Sequence, residues 1–167
     1  QEEFVYQQLA PHYLQAWLDT HGYPSALAVL YVKPGPDGRR TQPRRLADCH
    51  MLVVEDGVLV ADCAFDSTLF AGFDLIALSV MTPQAEYANW ITACVRREQP
   101  RARVMIGGSH ARYYLDQVVA QHGDTACDYV VPHDGWQPLL DVLDAGLPTG
   151  PRGRILSHQH DLAAITM

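Results

Sequence analysis

Two short apolar runs that flank an amphipathic stretch constrain the fold of this chain more than any other feature of its sequence. The first run spans residues 75–78 and the second spans residues 104–106. Continuous apolar runs of this length are typical of strands that are buried on both faces of a parallel sheet. A strand, a helix and a strand in this order predict a βαβ unit. Because helices and strands alternate along the chain, the sequence predicts an α/β domain with a doubly wound parallel sheet.

Small and polar residues follow both predicted strands at the points where they end. They are Ser79, Met81 and Thr82 after the first strand, and Gly107, Gly108, Ser109 and His110 after the second. In open α/β sheets ligands bind outside the carboxyl ends of the strands, so we predict a binding edge formed by these two groups. A tight turn between strand and helix is the alternative explanation for the glycine pair. Thr82 followed by Pro83 also predicts a helix start with threonine as the N-cap.

The elements before residue 70 are predicted from weaker patterns. Near-helical apolar spacing predicts a helix that begins near Pro11 and stops at Gly22. Residues 26–32 predict a strand, rich in apolar and β-branched side chains. Two short apolar segments around residues 51–61 predict a hairpin with its turn at Asp56 and Gly57.

Further helices and a last strand complete the predicted domain. The predicted helices span residues 84–98, 111–121 and 136–144. The predicted strand spans residues 128–131. Within the first of these helices, Ala88, Ile91 and Val95 are expected to face the sheet. Proline and glycine recur from Pro148 onward, so we expect the domain to span residues 1–147, with a linker or tail over the remaining residues 148–167.

Charge and composition exclude several classes of function. The 167 residues carry a formal net charge of −7, so we expect no nucleic-acid partner, because such a surface needs clustered Lys and Arg. No apolar run approaches the roughly 20 residues of a membrane span. The first ten residues contain no basic residue, unlike a secretory signal. The cysteines, at positions 49, 63, 94 and 127, form no CxxC pair, which favours free thiols over a metal site. These features predict a cytoplasmic protein with no membrane partner.

Four motifs, taken in order, resemble those of one family. They are the first helix with Tyr13, Leu14, Trp17, Leu18, His21 and Gly22, then FDLIALSVMT at residues 73–82, then GGSH at residues 107–110, and then a helix with Leu139, Leu140 and Leu143. This order resembles the cobalamin-binding domain of B12-dependent radical SAM enzymes, a flavodoxin-like Rossmann domain. The family typically reads "fDlvgiSvmt" at the third strand and "GGxH" after the fourth. The resemblance covers residues 9–146.

The resemblance implies how a corrinoid is held. Cobalamin combines a broad corrin ring that carries amide side chains with a nucleotide tail, and a protein can lay the ring across the carboxyl edge of its sheet. Ser79 and Thr82 would bond the tail, Met81 would cover the ring, and the glycine pair would allow close approach. The implied cofactor-binding residues are Ser79, Met81, Thr82, Gly107, Gly108, Ser109, His110, Pro132 and His133.

Three features of the chain differ from the family pattern. No strand precedes the first helix, so we expect the first strand of the sheet to be missing from this sequence. Pro132, His133 and Asp134 replace an acidic turn after the fifth strand. No CxxxCxxC motif is present. The resemblance therefore implies a cobalamin module alone, with the 4Fe–4S cluster and S-adenosylmethionine on a radical SAM catalytic domain, in cis or in trans.

The histidines bear on how cobalt would be ligated. A DxHxxG motif supplies a histidine ligand in cobalamin-dependent mutases, and here Asp48-Cys49-His50 begins that motif without its glycine. The resemblance gives His110 a packing or hydrogen-bonding role. We therefore expect base-off methylcobalamin or hydroxocobalamin with no histidine ligand, a form suited to carrying a methyl group to a substrate.

Two functions remain open from the sequence. One is the cobalamin-binding module of a B12-dependent radical SAM methyltransferase. The other is a degenerate flavodoxin-like domain that has lost its cofactor and acts as a binding or structural partner module, which the missing first strand favours. An independent hydrolase or reductase has little support, because GxSxG, GxGxxG and P-loop motifs are absent.

Overall fold

A computed structural model describes residues 9–39, 42–55 and 58–156 of the chain. The chain divides after Ala71 into two compact units, residues 1–71 and 72–167. This division differs from the single domain expected over residues 1–147. Each unit builds its own sheet, because the apolar segments of the first unit pair with one another and not with the parallel strands.

In its described residues, the first unit contains an α-helix and a three-stranded antiparallel sheet. Its elements are α1 (Leu9–Thr20), β1 (Leu27–Tyr31), β2 (His50–Glu55) and β3 (Val58–Ala64), with sheet order β1-β2-β3. The predicted helix, strand and hairpin are confirmed, while the predicted turn at Asp56 and Gly57 lies outside the described residues. Gln15 is buried on α1, and its Nε2 donates to the backbone oxygens of Ser25 at 3.1 Å and Val54 at 3.3 Å, which ties the helix to the end of the sheet where β1 begins.

The position of β1 corrects the prediction that all strands belong to one parallel sheet. β1 pairs antiparallel with β2, so that Leu27 lies opposite Val54 and Tyr31 opposite His50. An apolar run shows that a strand is buried but does not identify its neighbour. The hairpin formed by β2 and β3 lies close in sequence and provides an edge at which β1 pairs.

The second unit, over its described residues 72–156, contains a four-stranded parallel sheet with helices between its strands. Its elements are β4 (Leu75–Ser79), α2 (Ala85–Glu98), β5 (Arg103–Gly107), α3 (Ser109–Tyr113), α4 (Leu115–Val119), β6 (Tyr129–Val130), α5 (Trp136–Asp144) and β7 (Arg154–Ile155). The strands lie in chain order, β4-β5-β6-β7. In register, Ile76 lies beside Val104 and Ser79 beside Gly107, so the first two strands end at the same level. The coarse prediction of an α/β fold is thus confirmed.

The core of the second unit lies between α2 and the parallel strands. Ala88, Ile91 and Val95 are buried on α2, as the helical spacing predicted. Val104 and Ile106 are buried on β5. Burial of such side chains contributes about 1.5–3 kcal/mol each when it is complete, so this face fixes the sheet against α2.

Two element boundaries correct the sequence prediction. β7 pairs in parallel with β6, so residues 154–155 belong to the sheet and not to a linker or tail. Two residues are too few for a strand pattern to be recognised. The helix predicted at residues 111–121 is divided into α3 and α4 at Tyr114, whose φ of −127° and ψ of 36° are not helical.

A buried ion pair joins the amino ends of β5 and β6. Arg96 on α2 lies 2.6 Å from Asp128, and the side chains are only 7% and 11% exposed. The same carboxylate accepts the backbone N–H of Val104 at 2.7 Å. Arg96 also donates to the backbone oxygens of Ala102 and Ala126. Asp128 therefore stabilises the second unit at the edge opposite the predicted binding edge.

Candidate functional site

The carboxyl ends of β4 and β5 are fastened to each other by backbone hydrogen bonds. The N–H of Val80 donates to the oxygen of Gly107 at 2.9 Å, and the N–H of His110 donates to the oxygen of Val80 at 2.9 Å. We call Val80, Gly107, Gly108 and His110 the strand-end clasp. Because both bonds use Val80, the loop after β4 and the loop after β5 lie side by side, as the sequence predicted for the binding edge.

Gly108 has a conformation that only glycine adopts readily. Its φ is 90° and its ψ is −174°. A Cβ placed on this residue would lie 2.7 Å from both the backbone nitrogen and the backbone oxygen of Val80. Glycine is therefore required at this position because the backbone of Val80 leaves no room for a side chain. A Cβ on Gly107 would lie 3.5 Å from the oxygen of Val131, an ordinary contact.

The predicted N-cap role of Thr82 is wrong. Thr82 begins a 3-10 turn that ends at Gln84, and Met81 occupies the cap position. The Oε1 of Gln84 accepts the backbone N–H of Met81 at 2.9 Å, which is the bond that the third residue of a turn makes back to the cap residue. The turn starts one residue earlier than a threonine cap would require, so Thr82 lies inside the turn and its side chain is left for other partners.

Three exposed hydroxyl side chains lie at or just after the carboxyl ends of β4 and β5. They belong to Ser79, Thr82 and Ser109, and within the described residues none of them forms a side-chain hydrogen bond. Met81 is 36% exposed beside them. An exposed hydroxyl both donates and accepts, so this edge offers adaptable hydrogen-bonding groups next to an apolar side chain.

His110 differs from these residues because it is buried. It is 7% exposed, and its ring stacks on Tyr114 with centroids 5.3 Å apart and an angle of 28°. Its Nδ1 is buried and has no hydrogen-bond partner among the described residues. The sequence did not single out Tyr114, although its spacing of four residues from His110 on a helical segment was a usable signal.

The third loop of the edge follows β6. The N–H of Val131 donates to the oxygen of Ile106 at 2.8 Å, which extends the pairing of β5 with β6. Pro132 is buried after this point, whereas His133 is exposed. All three loops follow parallel strands of one sheet, so the predicted site residues share its carboxyl edge, with His110 and Pro132 beneath the surface.

A polar cluster in the first unit was not predicted. The Oη of Tyr31 donates to Asp62 Oδ1 at 2.6 Å, and Lys33 Nζ lies 3.6 Å from the same oxygen. The hydrogen bond to Asp62, with a smaller contribution from desolvation, raises the pKa of Tyr31 to about 12. The bond from Tyr31 lowers the pKa of Asp62. These residues are brought together by strand register, which the sequence does not specify.

Replacing Asp62 by Asn is expected to lower the pKa of Tyr31 from about 12 toward the ordinary tyrosine value, because the carboxylate that holds the phenol proton is removed. Because the pKa of Tyr31 is higher in the folded chain than in the unfolded one, its bond to Asp62 stabilises the fold at pH values below the ordinary tyrosine pKa. This stabilisation is lost as the pH rises through about 12. Tyrosinate absorbance during an alkaline titration measures the shift. Asp66→Asn, which removes a carboxylate bonded to Thr68 instead, is the control and should leave the titration unchanged. An unchanged titration in Asp62→Asn would contradict the assigned cause.

The described residues also bear on other kinds of site. Within the described ranges, no three side chains among His, Cys, Asp and Glu gather as metal ligands. Cys49, Cys63 and Cys127 are free thiols, and burial raises the pKa of Cys127 to about 11, which keeps it a thiol. Among the described helices, none is long and apolar enough to cross a membrane.

Comparisons with known proteins identify no relative. No protein family, no curated protein and no solved structure matches this chain. Any function assigned to the chain therefore depends on its own motifs and on the geometry of the carboxyl edge.

Proposed function

We propose that the second unit binds cobalamin at the carboxyl edge of its parallel sheet and carries a methyl group for a B12-dependent radical SAM methyltransferase. The observation that carries this proposal is the strand-end clasp, which holds the loops after β4 and β5 together. Through it, the exposed hydroxyls of Ser79, Thr82 and Ser109 lie at neighbouring strand ends. The order of the motifs between residues 73 and 110 is the reason for naming cobalamin as the cofactor. The hydroxyl groups at the strand ends can form hydrogen bonds to it.

The residues at the edge fit a corrinoid in part. Hydroxyl groups suit the amides and phosphate of the ligand, and Met81 suits the apolar face of a ring. Gly108 does not by itself argue for a ligand, because Val80 already excludes a side chain there. When bound, cobalamin supplies the cobalt that accepts and donates the methyl group. The chain's own residues would orient the ligand and leave its outer face open to a partner.

A flavodoxin-like, doubly wound sheet is part of the proposal. Such a sheet reverses its strand order and binds ligands at the point of reversal. In the described residues β4-β5-β6-β7 follow chain order, with no reversal. The proposal therefore requires one more strand beside β4, on the edge that faces away from β5. That strand and the catalytic domain with its 4Fe–4S cluster and S-adenosylmethionine would be supplied in cis or in trans.

The test is retention of hydroxocobalamin by the purified chain. After incubation and desalting, we expect corrin absorbance to remain with the protein and to have the spectrum of the base-off form. Replacing Ser79 and Thr82 by Ala is expected to weaken binding by about 2 kcal/mol, roughly 30-fold, because two hydrogen bonds to the ligand are lost. Titration of the absorbance change against cobalamin concentration gives the dissociation constants.

Thr149→Ala is the matched control, because Thr149 is an exposed threonine in a loop away from the clasp residues in sequence. It should bind cobalamin as the unchanged chain does. A folded chain that retains no colour would refute the cofactor and leave the degenerate partner module as the better explanation. The observation that favours this second function is Gly108, whose conformation is fully explained without a ligand.

A further inference from the structure

His110 carries a polar atom whose environment is incomplete. Its Nδ1 is buried and unpartnered among the described residues, and the whole residue is 7% exposed. Buried polar side-chain atoms in folded proteins nearly always have a hydrogen-bond partner, because burying one without a partner costs free energy. A residue that bears this cost at a predicted binding edge is a candidate for contact with a ligand.

The position of the ring supports this interpretation. The backbone of His110 is fixed by its hydrogen bond to Val80, and one face of the ring is covered by Tyr114. The imidazole therefore lies at the junction of the two loops that carry Ser79, Thr82 and Ser109. Other buried atoms without a partner in the described part of the chain are on His50, Asn89, Arg96 and Gln121, and none of these residues belongs to the loops after β4 and β5.

We propose that His110 positions the ligand, with its Nδ1 forming a hydrogen bond to a carboxamide group of the bound corrinoid. The inference rests on the proposed cobalamin function. A neutral imidazole offers Nδ1 as donor in one tautomer and as acceptor in the other, and a carboxamide supplies both an N–H and a C=O, so it satisfies either. Because Nδ1 is covered in the free chain, the ligand must move the neighbouring loops or turn the ring before the bond forms.

The experiment compares His110→Phe with His110→Asn. Phenylalanine keeps a ring to stack on Tyr114 and removes both nitrogens, whereas asparagine keeps a hydrogen-bonding atom near the position of Nδ1. Each variant is measured for unfolding in urea without ligand and for binding of hydroxocobalamin and of cobinamide, which retains the corrin amides and lacks the nucleotide tail. Tyr114→Phe, which keeps the aromatic stack, is the control for packing.

We expect His110→Phe to unfold at no lower urea concentration than the unchanged chain, and to bind both corrinoids about tenfold more weakly. His110→Asn should recover most of that affinity. Equal affinity of the unchanged chain and His110→Phe would overturn the proposal, as would a loss of stability without a loss of affinity. A penalty seen with hydroxocobalamin alone would place the contact on the nucleotide tail and refute the carboxamide. Failure of the unchanged chain to bind either probe would instead refute the cobalamin function.

Discussion

Replacing Asp128 by Asn is expected to lower the free energy of unfolding of the second unit by about 3–5 kcal/mol. Asparagine has almost the same shape, so it keeps the packing, but it leaves the guanidinium of Arg96 without its counter-charge at 2.6 Å. Arg96 is only 7% exposed, so water cannot replace the lost carboxylate without a rearrangement. The hydrogen bond from the backbone of Val104 would also weaken, because its acceptor is no longer charged.

The matched control is Glu98→Gln, which breaks another carboxylate–arginine pair. Glu98 lies 2.8 Å from Arg97, but these side chains are 42% and 71% exposed. The control should cost about 1 kcal/mol or less, because exposed ion pairs contribute little. Urea unfolding of both variants, followed by a probe in the second unit, measures the difference. Equal losses in the two variants would show that burial does not strengthen the Arg96–Asp128 pair.

The local elements of the second unit were predictable because their patterns repeat over many residues. α2 buries Ala88, Ile91 and Val95 at helical spacing, and α5 spans the predicted residues 136–144. β4 and β5 were predicted from apolar runs typical of a strand buried on both faces; β5 is largely buried, whereas Ala77 on β4 is exposed, so for β4 the expected burial is wrong. Each of these signals lies within the element itself, so no knowledge of distant contacts was needed.

Long-range pairing was not predictable from the same patterns. β1 has the composition of a buried strand, but its partner is set by the hairpin that follows it. β7 is recognised only through its pairing with β6, since its two residues form no pattern. Arg96 and Asp128 meet across 32 positions of sequence, on a helix and at the start of a strand. Such contacts depend on the register of the whole sheet.

At the candidate site too, the sequence predicted where residues lie but not what each of them does. The sequence placed Ser79, Thr82 and Ser109 at one edge because parallel strands end there together. It did not foresee that Thr82 would be the first residue of the turn, with Met81 at the cap position. Nor did it distinguish a glycine that makes room for a ligand from one that makes room for Val80. That distinction depends on a backbone distance of a few ångströms, which residue types alone do not determine.

Gly108→Ala is expected to destabilise the second unit by about 3 kcal/mol, combining the strain of a φ near 90° with the clash of a new Cβ. The methyl group would lie 2.7 Å from two backbone atoms of Val80, which cannot rotate away as a side chain can. Relief of the clash requires Val80 to leave Gly107 and His110, so the two loops separate. We therefore expect weaker corrinoid binding together with the loss of stability.

Two alanine variants separate the causes of this effect. Gly146→Ala introduces a side chain at a φ of 70° with no atom within 4 Å of the new Cβ, so its cost of about 1–2 kcal/mol measures strain alone. Gly107→Ala adds a Cβ 3.5 Å from the oxygen of Val131, within the same loop and without a positive φ, and should cost little. Urea unfolding gives the three values. If Gly108→Ala costs no more than Gly146→Ala, the backbone of Val80 yields to the methyl group. The strand-end clasp would then be too compliant to hold the two loops together as the binding edge requires.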